Sequence, residues 1–300
     1  MFTVAAQNVH QATPVALSIM KEESLNADSR GFVLPVPLTM ILFRPWQRVS
    51  QWRKLGLNPF ELFLDGLATM GPRPLDLLDN VVTSCGGILS EEFSNIVAKL
   101  KADRQAAVML PARLGSTVRH AHVLINVDGA LDIFFASVDG DLVGDVLGRD
   151  PVRFSFVQEM IAGQLDIPIG VLYQIATSPR IPVELADVLF EIPAADVVPD
   201  PWLTDEGEEI PETYRLPVRG LSLGRWTREL SNLLVNGPEC APGEDPWLEG
   251  VARPLWGAWR AFKNPGHDRI DLAKQSIVGL PARDWAQACW EWLEAQAVKA

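Results

Sequence analysis

His122-Val-Leu-Ile-Asn-Val127 and Leu131-Asp-Ile-Phe-Phe-Ala136 are two apolar, β-branched or aromatic runs joined through Asp128-Gly129. An Asp-Gly pair in that position predicts a β-hairpin with a type I′ turn, because that turn needs positive φ at both central residues. Downstream, Arg153-Phe-Ser-Phe-Val-Gln-Glu-Met-Ile-Ala-Gly-Gln-Leu165 sets Phe154, Val157, Ile161 and Leu165 on one helical face. Ile169-Gly-Val-Leu-Tyr-Gln-Ile-Ala176 then reads as a further buried strand.

Around this centre the composition sets bounds. A chain of 300 residues with 48% apolar content can bury one large core, so a single domain over 1–300 is expected. A net charge of −12 argues against general binding to a phosphate backbone. The three cysteines, Cys85, Cys240 and Cys289, form no CxxC pair, which argues against a disulfide framework or a thiolate zinc site. No basic segment precedes an apolar stretch at the start, and no apolar run approaches about 18 residues. The expectation is a cytoplasmic protein without a membrane span.

In chain order, 1–60 forms a leading segment. Thr13–Glu23 is expected as a short helix with Val15, Ile19 and Leu25 turned inward. Phe32–Phe43 is apolar but interrupted by Pro35 and Pro37, which predicts an edge or broken strand. Asn58-Pro59 opens a helix to about Met70, with Pro pre-organised for the first helical position and Phe60, Phe63, Leu64 and Leu67 on one face. Glu91–Leu100 and Val183–Phe190 are further helices. The stretch 196–217 is an acidic, Pro-rich loop. Eight of the ten tryptophans fall from Trp202 onward, so 218–300 is a Trp-rich helical part. Val251, Leu255, Trp259 and Phe262 share one helical face; Trp285, Cys289 and Trp292 share another, with Asp284 near its start. Tryptophans at that spacing are expected in the core rather than on a base-stacking platform.

Several of these pieces resemble the thymidylate synthase and pyrimidine-nucleotide hydroxymethylase family, most closely its short phage forms. The resemblance rests on Arg44-Pro-Trp-Gln-Arg48 before Asn58-Pro59-Phe60 and on the Asp128-Gly129 hairpin. It continues through Gly144-Asp-Val-Leu-Gly148-Arg-Asp150-Pro-Val-Arg153 into the Gln158-Glu159 helix, and ends with Ala282-Arg-Asp-Trp-Ala-Gln-Ala-Cys-Trp-Glu-Trp-Leu293. It implies an α+β fold, a large mixed or antiparallel sheet packed by helices, and a homodimer with sheets back to back. A heteromer with another protein is the other partner expectation.

In that family a cysteine thiolate adds to C6 of dUMP or dCMP, and C5 then attacks a one-carbon unit carried by methylene-tetrahydrofolate. A thiolate suits this step because it is nucleophilic near neutral pH and can leave again. Here the corresponding position is Val118, and neighbouring Ser116, Thr117, Arg119 and His120 have no adjacent activating base. The phosphate-binding Arg-Ser pair corresponds to Val138-Asp139. Losing that arginine removes charge-assisted hydrogen bonds of about 1.5–3 kcal/mol each. An aspartate about 4 Å from a phosphate charge adds about 4 kcal/mol of repulsion at an effective dielectric of 20. Of the paired arginines that reach a neighbouring subunit's nucleotide, only Arg104 is present, followed by Gln105. The residue that reads the pyrimidine edge corresponds to Asp150, and the sugar-contacting His-x-Tyr to Arg180-Ile-Pro182. Asp65 stands where the family carries a proton-relaying glutamate.

The resemblance therefore implies a degenerate member: an inactive scaffold serving binding or assembly, with no cofactor. A folate-dependent nucleotide methyl- or hydroxymethyltransferase with a rearranged site is the alternative, its cofactor methylene-tetrahydrofolate. A third reading is an acidic pocket for a cationic or non-phosphorylated ligand, lined by Asp65, Asp139, Asp141, Asp145 and Asp150. The candidate pocket also takes in Arg104, Arg153, Tyr173 and Arg180. His120-x-His122 sets two imidazoles on one strand face with no third ligand evident, so no metal is expected. The glycines of 140–148 are read as turn residues.

Overall fold

The computed structural model describes residues 1–26, 31–49, 55–70, 91–114, 117–137, 140–192, 202, 215–216 and 223–299. A six-stranded mixed sheet is built from β1 (Phe2–Ala6), β4 (Leu38–Leu42), β5 (Val108–Leu114), β6 (Thr117–Ile125), β7 (Leu131–Ser137) and β8 (Ile169–Ala176). Their spatial order is β1-β4-β8-β7-β6-β5. β1 pairs parallel with β4 and β7 with β8; the other neighbours are antiparallel. A small antiparallel sheet joins β2 (Leu25–Asn26), β3 (Phe32–Val33) and β9 (Arg180–Ile181).

The hairpin of β6 and β7 forms where the apolar runs predict it, but its turn is different. Gly129 alone carries positive φ, at 78°. Gly129 N–H donates to Asn126 O at 3.0 Å, and Asn126 N–H donates to Ala130 O at 2.9 Å. This is a three-residue loop closed by a glycine bulge rather than a type I′ turn. The reason lies one residue upstream: the Asn126 side-chain oxygen accepts from both Asp128 N–H and Ala130 N–H, each at 3.0 Å. That Asx contact satisfies the loop backbone with a single left-handed residue.

Proline predicts an interrupted strand at 32–43, and β3 and β4 are indeed separate. The edge assignment fails, because β4 lies between β1 and β8 and the edge is taken by β1. Both prolines fall between the two strands, where neither removes a ladder donor. The first helix, α1 (Val9–Glu23), begins earlier than expected because Asn8 caps it, accepting from Gln11 N–H at 2.9 Å. Its inward face is Val9, Ala12, Ala16, Leu17 and Met20; Val15 and Leu25 are exposed.

The remaining helices of the sheet region are α2 (Pro59–Met70), α3 (Glu91–Ala102), α4 (Asp150–Leu165) and α5 (Val183–Phe190). The expected inward residues of α2 are all buried. On α4 the single-face pattern gives way to burial all round from Asp150 to Ala162. α4 crosses β7 and β8 on one side and packs against α2 and α3 on others. The glycine-rich segment forms a π-helix, Leu142–Arg149, running directly into α4, rather than turns. The C-terminal part comprises α6 (Leu223–Asn236), a short π-helical turn (Leu248–Ala252), α7 (Arg253–Lys263), α8 (Arg269–Ile277) and α9 (Arg283–Lys299).

Most of the described tryptophans are core, as their spacing predicts, while Trp292 is half-buried and Trp290 is exposed. Trp226, Trp247, Trp256, Trp259 and Trp285 are buried. Phe63 of α2 meets Trp285 edge-on at 5.0 Å and Trp247 at 5.9 Å, while Phe60 stacks on Trp259 at 5.7 Å. These aromatic contacts join the C-terminal helices to the sheet region through α2. No helix among the described residues is long and apolar enough to cross a membrane.

Candidate functional site

Asp65 lies in the middle of α2, an apolar helix in which a carboxylate needs a partner once buried. The partner comes from α4. Arg153 approaches Asp65 side-on, with Nε 2.5 Å from one carboxylate oxygen and Nη2 2.9 Å from the other. Close helix crossing makes the pair possible: a Cβ on Gly66 would sit 2.5 Å from the Phe156 ring of α4. Both side chains are buried.

From Arg153 the polar chain continues to Asp150, one turn back on α4, with Nη1 3.4 Å from its oxygen. Asp150 accepts a hydrogen bond from Ser137 Oγ at 2.6 Å, and Ser137 Oγ accepts from Gln174 Nε2 at 3.2 Å. Ser137 closes β7 and Gln174 lies in β8, so this network crosses the helix–sheet interface. It holds two carboxylates and one guanidinium in the buried interior. Breaking such a pair from one side costs about 3–5 kcal/mol, because the other charge is left uncompensated.

The other candidates do not join it. Asp141 is half-buried and caps the π-helix, accepting from Val143 N–H at 3.0 Å. Asp145 lies 3.4 Å from Arg149 on the same segment. Arg180 is exposed and bonds through its backbone to Gly140. Arg104 is exposed in the turn before β5. Tyr173 points to the opposite face of the sheet, where its ring stacks on Phe134 at 4.0 Å. Alternation along β8 separates it from Gln174. The expected acidic pocket is therefore not gathered: Asp65 and Asp150 share Arg153, and Asp141 and Asp145 serve the π-helix. Asp139 and Val138 lie outside the described residues. Val118 sits in β6 opposite Arg113. Among the described residues no group of His, Cys, Asp and Glu is arranged to hold a metal ion.

A second buried cluster escaped the sequence reading. Arg48 pairs with Glu159 of α4, its guanidinium lying 4.1 Å over the Phe156 ring. Glu159 also accepts Leu216 N–H at 2.9 Å. Burial pushes the Glu159 carboxyl upward against the pull of Arg48. Burial likewise pushes Asp284, in the first turn of α9, up to about 6, opposed by Trp285 N–H and Arg48. The Cys289 thiol is fully buried, and burial together with Asp284 pushes it well above the ordinary thiol range. Cys240 is half-buried, 3.5 Å from Arg253 Nη2. The available signal was the charge of Glu159 within a helix buried on every side.

No family model matches the chain. A deoxyuridylate hydroxymethyltransferase of Pseudomonas phage M6 is 27% identical over 336 aligned residues, covering 98% of this chain and 94% of that protein. A likeness running through nearly the whole of both proteins accompanies a helix-packed mixed sheet. On these grounds the chain is similar, over nearly its full length, to a member of the thymidylate synthase and pyrimidine-nucleotide hydroxymethylase family.

Proposed function

We propose that this chain is a family scaffold without thiol-dependent catalysis, acting through binding or assembly. The observation that carries the reading is the buried Asp65–Arg153 pair. At the relay position both carboxylate oxygens face a guanidinium of the same chain, so Asp65 is held by an internal ion pair. The nucleophile argument runs the same way. Valine stands at position 118, and Cys289 is sealed in the core. A thiol that is buried and raised in pKa is a poor nucleophile.

These residues do not fit folate-dependent transfer. Without a thiolate adding at C6, no C5 carbanion forms to accept the one-carbon unit; Val118 supplies none, and Cys85 lies outside the described residues. Purified protein is expected to release no tritium from 5-labelled dUMP or dCMP in the presence of methylene-tetrahydrofolate. The full-length likeness to a deoxyuridylate hydroxymethyltransferase favours the second reading, a rearranged but active enzyme. Turnover that survives controls for a contaminating host enzyme would put that reading first.

For assembly, the surface favoured is the sheet face that carries Tyr173 and Phe134. It holds large apolar side chains on the side away from α4, and the partner proposed is a second copy of the chain.

A further inference from the structure

Trp290 stands apart from the buried tryptophans because it borders a cleft where α8 turns into α9. The cleft measures about 450 Å³. Small-ligand sites usually span about 300–1,000 Å³. Buried Ile277 and Leu280 form its floor, and Val278, 71% exposed, stands at its mouth. Gly279 carries a φ of 77°, and a Cβ there would meet nothing within 4 Å, so the turn leaves the space open. From α9 come Arg283, Ala286, Gln287 and Trp290, spaced i, i+3, i+4 and i+7 on the face turned away from buried Trp285 and Cys289.

The lining divides into an apolar part and a polar end. Trp290 is fixed in place: its Nε1 donates to Glu294 at 2.8 Å, and Lys274 Nζ lies 4.7 Å from its ring centroid and 3.7 Å from Glu294. With its N–H committed, the indole offers the cleft ring surface alone. Among the described residues lining the cleft, Arg283 carries the one permanent charge and none is a carboxylate. Gln287 donates to Glu291 at 3.3 Å with one amide hydrogen and has a second. In a chain of net charge −12, a lining with a cation and no anion is a local reversal of sign.

We propose that this cleft binds a planar aromatic carboxylate, its ring against Trp290, Ile277 and Leu280 and its carboxylate at Arg283 and Gln287. The inference goes beyond the assembly reading and does not depend on it, because α8 and α9 lie outside the six-stranded sheet. The apolar surface calls for a ring: Val278 and Trp290 lose their water-exposed area when a flat, apolar group covers them. The charge selects a single anion. A guanidinium matches a carboxylate in both geometry and charge. A phosphate monoester would bring nearly two negative charges to one arginine, with Glu291 and Glu294 farther along the same helix, so nucleotides are disfavoured.

Calorimetric titration of the full chain with β-naphthoate tests this, with β-naphthamide as the uncharged isostere. A ligand of that size at ordinary efficiency has a dissociation constant on the order of 1 mM or below. The expected result is saturable binding of β-naphthoate and about tenfold weaker binding of the amide. Arg283→Gln brings the acid down to the amide's affinity and leaves the amide unchanged. Ala286→Phe fills the cleft without removing a polar group and, like Trp290→Ala, weakens both ligands by about tenfold or more. Circular dichroism and the urea midpoint confirm that each variant keeps its fold. Equal affinity for acid and amide, or a difference between them that survives Arg283→Gln, overturns the carboxylate assignment. Binding untouched by both Ala286→Phe and Trp290→Ala puts the ligand elsewhere and overturns the site. A titration in which neither ligand saturates overturns the proposal as a whole.

Discussion

Asp284 shows how a single buried residue couples this fold to pH. Its carboxyl is raised from 3.8 to about 6, chiefly by burial. A carboxyl raised in the folded state binds its proton more tightly there than in the unfolded chain, so it lowers stability as pH climbs from about 4 to about 6. Above that window the full penalty applies, about 3 kcal/mol. Replacing Asp284 with Asn, which keeps an acceptor for Trp285 N–H, is expected to stabilise the protein by up to about 3 kcal/mol at pH 8. Near pH 4 the difference should vanish, as urea unfolding of variant and parent at both pH values will show. Equal midpoint shifts at the two pH values sink the assignment. Of the buried polar residues, Asp65 and Asp150 were named in the sequence through the family resemblance. That Arg153 serves both was not, because Asp65 and Arg153 lie 88 positions apart and meet only once α2 and α4 cross.

At the scale of elements, the joint between β7 and β8 is the most constrained part of the sheet. The register slips between Leu131 and Ile133. The Asp132 carboxylate fills the slip, tying Val171 N–H of β8 to Asn126 in the hairpin loop. Gly170 leaves room for it: a Cβ there would lie 2.0 Å from the Asp132 oxygen and 2.9 Å from Leu131 O. Gly170→Ala is thus expected to expel the carboxylate and destabilise the protein by about 2 kcal/mol or more, the loss of hydrogen bonds to a charged acceptor. Chemical denaturation checks this, with Asn126→Ala as the milder comparison. An unchanged midpoint for Gly170→Ala removes Asp132 from the account of this joint. The hairpin, α2, α4 and β8 could all be read in advance, since each carries its own periodicity and punctuation. β1 could not, because five residues at the start of the chain become a strand only when β4 is there to pair with them.

For the whole molecule, charge separates the proposed repurposed site from a retained nucleotide site. A nucleotide monophosphate brings nearly two negative charges to a chain already at −12, at a place where Val138-Asp139 stands for the family's Arg-Ser. Every 1.4 kcal/mol is about tenfold in affinity, so on the proposed reading the lost arginine and added aspartate are expected to outweigh a preserved base pocket. Calorimetry with millimolar dUMP or dCMP is expected to show no binding. The double change Val138→Arg with Asp139→Ser should recover it only where the rest of the pocket survives. Tight dUMP binding by the unmodified chain would move the folate-dependent enzyme to first place.

The sequence by itself determined the family resemblance, the hairpin, the order of the sheet-region helices and the burial of most of the described tryptophans. These follow from local periodicity, turn chemistry and motif spacing, which need no knowledge of distant partners. It also determined the absence of a cysteine at position 118. Only the tertiary structure decided what the acidic residues do. Whether a carboxylate faces a ligand, caps a helix or is held by a guanidinium depends on which elements cross it. In a low-dielectric interior, that crossing sets both its partner and its charge.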